Sequence, residues 1–163
     1  MNEWFAEAAD KFQIAFIEGD RWKLYLNGLG VTLQISLFAA ILGVAIGIVV
    51  ALMKLSTGKN GKRSIFSYIA QIYIDVIRGT PSVLQLLIMW FIVMTNSKNG
   101  VLVAVLTFGI NSGAYVSEIM RAGIQAVDHG QMEAGRSLGL SKGQTMRYII
   151  LPQAVKNVLP PIG

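Results

Sequence analysis

From Leu26 to Met53 the chain carries no charged side chain. A bilayer-crossing helix needs roughly 20 consecutive apolar residues, so this run predicts a transmembrane helix over about 26–53. Trp22 and Tyr25 precede it in the manner of an interfacial aromatic belt. Inside it, Gly43 and Gly47 form a GxxxG pair, which lets a second helix approach closely; close helix packing is enough to explain it. The rest of the composition agrees. Of 163 residues 53% are hydrophobic and only 14% charged, well below the quarter or so of a soluble globular domain.

Several function classes fall away on composition. There is no cysteine, which rules out disulfides, thiolate metal sites and cysteine chemistry, and the single histidine, His129, cannot build a metal site alone. The formal charge of +5 is not gathered into a basic face interleaved with aromatics, so no nucleic-acid partner is expected. Glu3, Glu7 and Asp10 stand where a secretory signal would carry basic residues.

The charges fix an orientation instead. Between Lys54 and Ser64 lie Lys54, Lys59, Lys62 and Arg63 with no acid, and the positive-inside rule makes this loop cytoplasmic. Residues 1–25 are then external. They hold five acids against Lys11, Arg21 and Lys23, with Trp4, Ala8, Phe12 and Ala15 at helical spacing, as in a short amphipathic surface helix.

A second apolar block, about 66–94, is interrupted by Arg78-Gly79-Thr80-Pro81. Pro81 removes a backbone donor and disfavours helical geometry at Thr80, which predicts a kink. Asp75 and Arg78 stand three apart just before it, spaced to pair. A third span is expected over about 101–123. Asn111, Tyr115 and Glu118 share one of its faces, and Glu118 and Arg121 form a second pair three residues apart. Charges inside a membrane usually face the bundle interior or a water-filled path. The two pairs either lock helices together near the inner interface or belong with Asn111 and Tyr115 to a substrate pathway; both alternatives stand. The fold class is therefore all-α, an integral membrane helical bundle.

Residues 124–151 are too polar to span and predict two short helices around a sharp corner. Asp128 is a candidate N-cap with Gln131 three residues later as in a capping box, and Val127 with Met132 forms a hydrophobic staple. Gly139 suits the left-handed position that ends a helix, and Ser141 to Gln144 is a second capping box. Pro152 limits how far the second helix continues unkinked. Such a corner is a connector by default; a small rigid double helix can also dock into a groove on a partner.

Here the residues carry a resemblance. Glu133-Ala134-Gly135, then Gly139, then Ile149-x-Leu151-Pro152 resemble, at every spacing, the cytoplasmic EAA loop of permeases in ATP-binding-cassette (ABC) importers. Gly135 departs from the pattern's second alanine, at a cost of about 1 kcal/mol in helix propensity that would loosen the first short helix. Arg78-Gly79-Thr80-Pro81 with Gln85, Asn111-Ser112-Gly113-Ala114-Tyr115 with Glu118 and Arg121, Gly130-Gln131-x-Glu133-Ala134, and Leu151-Pro152-Gln153-Ala154 are similar to segments of the polar amino acid permeases of that superfamily.

The resemblance implies a type I ABC importer permease of the bacterial cytoplasmic membrane, translocating polar amino acids by alternating access. The implied partners are membrane lipid, a second permease subunit in a homodimer or heterodimer, ABC ATPase subunits, and an extracytoplasmic amino-acid-binding protein. It makes Gln131, Glu133, Ala134, Gly135, Gly139, Leu151 and Pro152 the ATPase-coupling loop and Asp75, Arg78, Asn111, Tyr115 and Glu118 the candidate substrate pathway. The chain is expected to bind no cofactor itself, with ATP and Mg on the ATPase, because Gly58-Lys59 and Gly61-Lys62 are each followed by the wrong residue for a phosphate-binding loop. Enzymatic activity is not expected; an intramembrane aspartyl protease would need a second membrane aspartate and a GxGD setting. Permeases for methionine or another small solute, and a non-transporting membrane subunit, are the alternatives. The family pattern continues for two more membrane helices, whereas this chain closes on Pro160-Pro161-Ile162-Gly163. Three full spans, the coupling loop and the start of a fourth helix over 152–163 are expected, as in a truncated permease that does not transport alone.

Overall fold

The computed structural model describes residues 2–56 and 63–162, and the described residues are helical almost throughout. A first helix, α1 (Asn2–Phe12), ends in a wide turn over Gln13–Ile17 and a tight one over Glu18–Asp20. Gly19 and Asp20 take positive φ there, 63° and 56°, and so turn the chain into the long helix α2 (Trp22–Leu55). At about 1.5 Å per residue α2 runs to roughly 51 Å, more than a hydrocarbon core of about 30 Å requires, so its ends extend past it. Lys59 and Lys62 of the loop after α2 lie outside the described residues.

The second apolar block is broken rather than kinked. It forms α3 (Ile65–Arg78) and α4 (Ser82–Ile88), the latter continued by a wide turn over Met89–Val93, and the chain bends by 101° between the two halves. Next come α5 (Gly100–Gln125), capped by the Asn99 side chain on the Leu102 amide, then α6 (His129–Ser137) and α7 (Lys142–Thr145). A wide turn over Met146–Ile150 leads from α7 straight into α8 (Leu151–Ile162). Among the described residues α2 and α5 are each long and apolar enough to cross a bilayer, and the bent α3–α4 pair makes up a third such stretch.

Small residues decide which helices touch. A Cβ on Gly43 would lie 2.7 Å from Ser112 Cβ, and one on Gly47 2.5 Å from Val116 Cγ1. The fit is reciprocal. A Cβ on Gly109 would lie 2.6 Å from Leu42 Cδ2, and one on Gly113 2.6 Å from Ile46 Cγ2. Two GxxxG stripes, one on each helix, therefore interleave along the α2–α5 seam, which gains dispersion contacts where lipid offers no hydrophobic drive. Val50, Ala70 and Ile74 form a small core that brings α3 against α2, and Tyr73 donates from its hydroxyl to the Ile110 carbonyl of α5 at 2.5 Å. Large apolar side chains such as Leu33, Leu37, Ile41 and Leu52 stay exposed on α2, as a lipid-facing surface requires.

Candidate functional site

The break between α3 and α4 frees carbonyls from the repeating helical bonds. One side chain satisfies them. Gln85 donates from Nε2 to the Ile77 carbonyl at 2.7 Å, to Thr80 Oγ1 at 2.7 Å and more weakly to the Thr80 carbonyl at 3.2 Å. Thr80 in turn donates from Oγ1 to the Val76 carbonyl at 2.9 Å. The Gln85 oxygen accepts from Asn111 Nδ2 at 3.0 Å, so the broken corner is tied to α5.

One turn further along the same face of α5, Tyr115 lies beneath the Arg78 guanidinium, 5.0 Å from ring centroid to Cζ. Glu118 comes next, and its carboxylate is shared by three cations from three helices. Lys54 of α2 donates to Oε1, Arg121 of α5 to both oxygens (Nε to Oε1 at 3.3 Å and Nη2 to Oε2 at 2.8 Å), and Arg78 Nη1 of α3 stands 3.9 Å from Oε2. Arg121 also donates from Nη1 to Gln125 at 2.5 Å. The Glu118 and Lys54 side chains are mostly buried and Arg78 is half exposed.

Four of the five residues assigned to a pathway from the sequence, Arg78, Asn111, Tyr115 and Glu118, thus share one polar strip. Asp75 does not join it. The expected Asp75–Arg78 pair is not made: Asp75 is exposed and accepts from Gln71 Nε2 at 2.7 Å, one turn back on its own helix. Arg78 reaches across to α5 instead, because the bend turns the end of α3 toward Tyr115 and Glu118. The Glu118–Arg121 pair is made, with Lys54 as a partner that its reading as a loop charge had not suggested.

The second candidate lies at the α6–α7 corner. Asp128 caps α6 by accepting from the Gly130 amide at 2.6 Å. The expected return bond from Gln131 is absent; its side-chain oxygen accepts from Gln153 Nε2 of α8 at 3.3 Å, a tie between elements in place of a local cap. Val127 and Met132 belong to one cluster with Ile150, Ala154, Ile124 and Met146, which seats the corner on the ends of α5 and α8. Gly139 has φ +82°, and its amide donates to the Arg136 carbonyl at 3.0 Å while the Leu140 amide donates to that of Gly135 at 3.1 Å. These two bonds are the Schellman ending of a helix. Ser141 and Gln144 then cap each other, amide to side chain in both directions, at 2.8 and 3.3 Å.

Gly135 corrects an expectation. Far from loosening α6, it is buried, and a Cβ there would collide with Thr145, which is itself fully buried and donates to the Ser141 carbonyl at 3.1 Å. Glycine lets α7 close onto α6. Pro152 falls in the first turn of α8, and the second helix reaches it only through the wide turn over Met146–Ile150, which displaces the repeating bonds just before the residue that cannot donate one. Glu133 and Ala134 are exposed on the outer side of α6; Leu151 and Pro152 are exposed at the start of α8. Leu138 had not been singled out. It is 79% exposed, the most exposed large apolar side chain among the described residues, and it sits at a polar capped corner rather than on a span.

Comparison with known proteins agrees with this architecture. Residues 43–163 match the family model described as "Binding-protein-dependent transport system inner membrane component". The chain is 45% identical over 140 residues to the arginine transport system permease protein ArtQ of Bacillus subtilis, covering 84% of this chain and 62% of that protein. It is 39% identical over 145 residues to the glutamine transport system permease protein GlnP of Escherichia coli K12, covering 86% and 64%. A crystal structure of an amino acid ABC transporter with histidines superposes with a TM-score of 0.77 at 45% identity, covering 86% of this chain and 64% of that one. The chain spans just under two thirds of the length of these relatives. It belongs to the binding-protein-dependent transport system inner membrane components, the permease family of ABC transporters.

Proposed function

We propose that the chain forms the channel part of an ATP-driven importer for polar amino acids, in the bacterial cytoplasmic membrane with its N-terminus outside. The observation that carries this most directly is the α6–α7 corner. It is closed by a Schellman ending and a full capping box, seated on α5 and α8, and topped by an exposed leucine. A rigid corner with an exposed anchor transmits force; a mere connector needs neither feature. Two ATPase subunits seat this corner and hydrolyse Mg-ATP, an extracytoplasmic binding protein delivers the solute, and a second permease subunit completes the channel. The names of the relatives, for arginine and for glutamine, support a polar amino acid as cargo.

On this reading Arg78, Asn111, Tyr115 and Glu118 line the path, while the α2–α5 seam is the rigid body that rocks as the ATPase closes. The test uses the full-length permease reconstituted with its ATPase and binding protein. Loaded binding protein raises ATP hydrolysis and drives amino acid uptake into proteoliposomes. Uptake that proceeds without ATP, or no uptake of any of the twenty amino acids, overturns the assignment.

A further inference from the structure

The N-terminal segment carries an apolar surface that packing within the bundle does not use. Along α1, Trp4, Phe5, Ala8 and Phe12 fall on one side of the helix and Glu7, Asp10 and Lys11 on the other. Trp4, Phe5 and Phe12 are each more than half exposed, and Ile14 and Ile17 of the following turn are exposed with them. The polar side is satisfied within itself, Glu7 and Lys11 pairing at 2.7 Å one turn apart. The matched family model begins at residue 43, so α1 lies outside it.

This segment is braced against α2. Phe12 stacks on Phe16 with 4.8 Å between ring centroids, and Phe16 lies 5.0 Å from Tyr25 in the first turn of α2. Arg21 donates from Nη1 to the Ile14 carbonyl at 3.0 Å, across the elbow made by the positive φ of Gly19 and Asp20. The apolar side of α1 therefore continues, ring by ring, to the Trp22 and Tyr25 level and on to the exposed Leu24, Leu26 and Leu29 of α2. That part of α2 enters the bilayer, and a surface continuous with it meets the same solvent.

Charge says what kind of lipid. Residues 1–25 hold five acids against Lys11, Arg21 and Lys23, so an anionic headgroup gains nothing there. The drive is apolar burial, helped by the preference of aromatic rings for the headgroup level. Length gives the segment a task. At about 1.5 Å per residue the uncharged run Leu26–Met53 measures about 42 Å, about 12 Å more than a hydrocarbon core. Such a helix tilts or stands out at one end, and interfacial anchors decide which.

We propose that α1 lies flat in the outer leaflet, its apolar side at the boundary of headgroups and acyl chains whatever the headgroup charge. Through its braced elbow it fixes the depth of the outer end of α2.

The experiment uses the full-length permease assembled with its ATPase in nanodiscs of phosphatidylcholine, alone or with added phosphatidylglycerol. Nitroxide labels on Glu7→Cys, Ala8→Cys, Asp10→Cys or Phe12→Cys report collisions with oxygen, which partitions into lipid, and with a water-soluble nickel chelate. Labels at 8 and 12 are expected about 5–10 Å into the headgroup and acyl boundary, favouring oxygen, and those at 7 and 10 to favour nickel. The pattern is the same in both lipids and at about 0.1 M and about 1 M salt. In the double variant Trp4→Glu, Phe5→Glu the label at 12 opens to nickel, and one on Leu26→Cys changes depth. The milder Trp4→Ser moves position 26 the same way by less. Gel filtration with the ATPase excludes misassembly, and the labels at 7, 8, 10 and 12 decide the lipid contact without either variant. Nickel access at all four positions makes α1 a solvated helix and overturns the proposal. So does protection at 8 and 12 that appears only with added binding protein, or only with phosphatidylglycerol. An unshifted depth at 26 in both variants overturns the anchoring. None of these readouts depends on transport.

Discussion

Gly139 and Leu138 are neighbours with opposite demands. At φ +82° a β-carbon costs roughly 1 kcal/mol or more, and a branched one more still, so Gly139→Val turns α7 away from α6 without touching a span. Leu138→Asp leaves the backbone alone and removes only the apolar tip. In the full-length protein both variants are expected to reach the membrane in normal amounts and to lose stimulated ATP hydrolysis and uptake. Gly139→Val does so through misdirection, so limited proteolysis within 136–145 accelerates; Leu138→Asp does so through lost docking, so the ATPase no longer copurifies while the proteolysis pattern is unchanged. Full stimulation in Gly139→Val would make the corner an inert connector. Gly135→Leu is a third residue-scale case. Thr145 and Ile149 fill the space its side chain would need, so overpacking costs about 1–3 kcal/mol, read as faster proteolysis of the same segment.

Between elements, the α2–α5 seam and the α3–α4 break hold by different means. The seam is steric: Gly47→Leu or Gly113→Leu drives a side chain into Val116 or Ile46, and each is expected to lower the thermal midpoint of the detergent-solubilised protein by several degrees. The exposed Gly28 meets nothing within 4 Å, so Gly28→Leu should leave the midpoint unchanged. The break is polar. Gln85→Leu leaves the Ile77 carbonyl without its partner and cuts the tie to Asn111, a loss of about 1–3 kcal/mol. Spin labels at Val83 and Leu102 should report a broadened distance distribution in Gln85→Leu, and Gln85→Glu should not restore the wild-type one, because its carboxylate cannot donate to the carbonyls. An unchanged distribution would show that Pro81 and packing alone fix the bend.

For the whole molecule, the arrangement of charge predicts topology. With Lys59, Lys62 and Arg63 and no acid in 54–64, the positive-inside rule predicts that loop inside and residues 1–25 outside. On this cysteine-free background, single cysteines at positions 10 and 59 test it with an impermeant reagent on intact cells. Labelling at 10 and protection at 59 are expected; the reverse pattern would invert the bundle and put the α6–α7 corner on the wrong side to meet an ATPase.

Much of this was legible in the chain because local chemistry dictates it. A long uncharged run must be a helix in lipid, and a Ser-x-x-Gln pair or a glycine before a new helix start announces its cap. Gly43 and Gly47 could be read as a contact stripe, and Gly109 and Gly113 carry the same spacing and could have been. What the residues did not disclose is who meets whom. Asp75 and Arg78 are spaced to pair, yet a 101° bend sends Arg78 to Tyr115 and Glu118. Gln131 is spaced to cap α6, yet α8 lies close enough to take its side chain. Gly135 is a weak helix former, yet Thr145 makes it the residue that fits. In each case a local preference worth a few tenths to about 1 kcal/mol was outweighed by a contact between residues distant in sequence, and only folding brings those within reach.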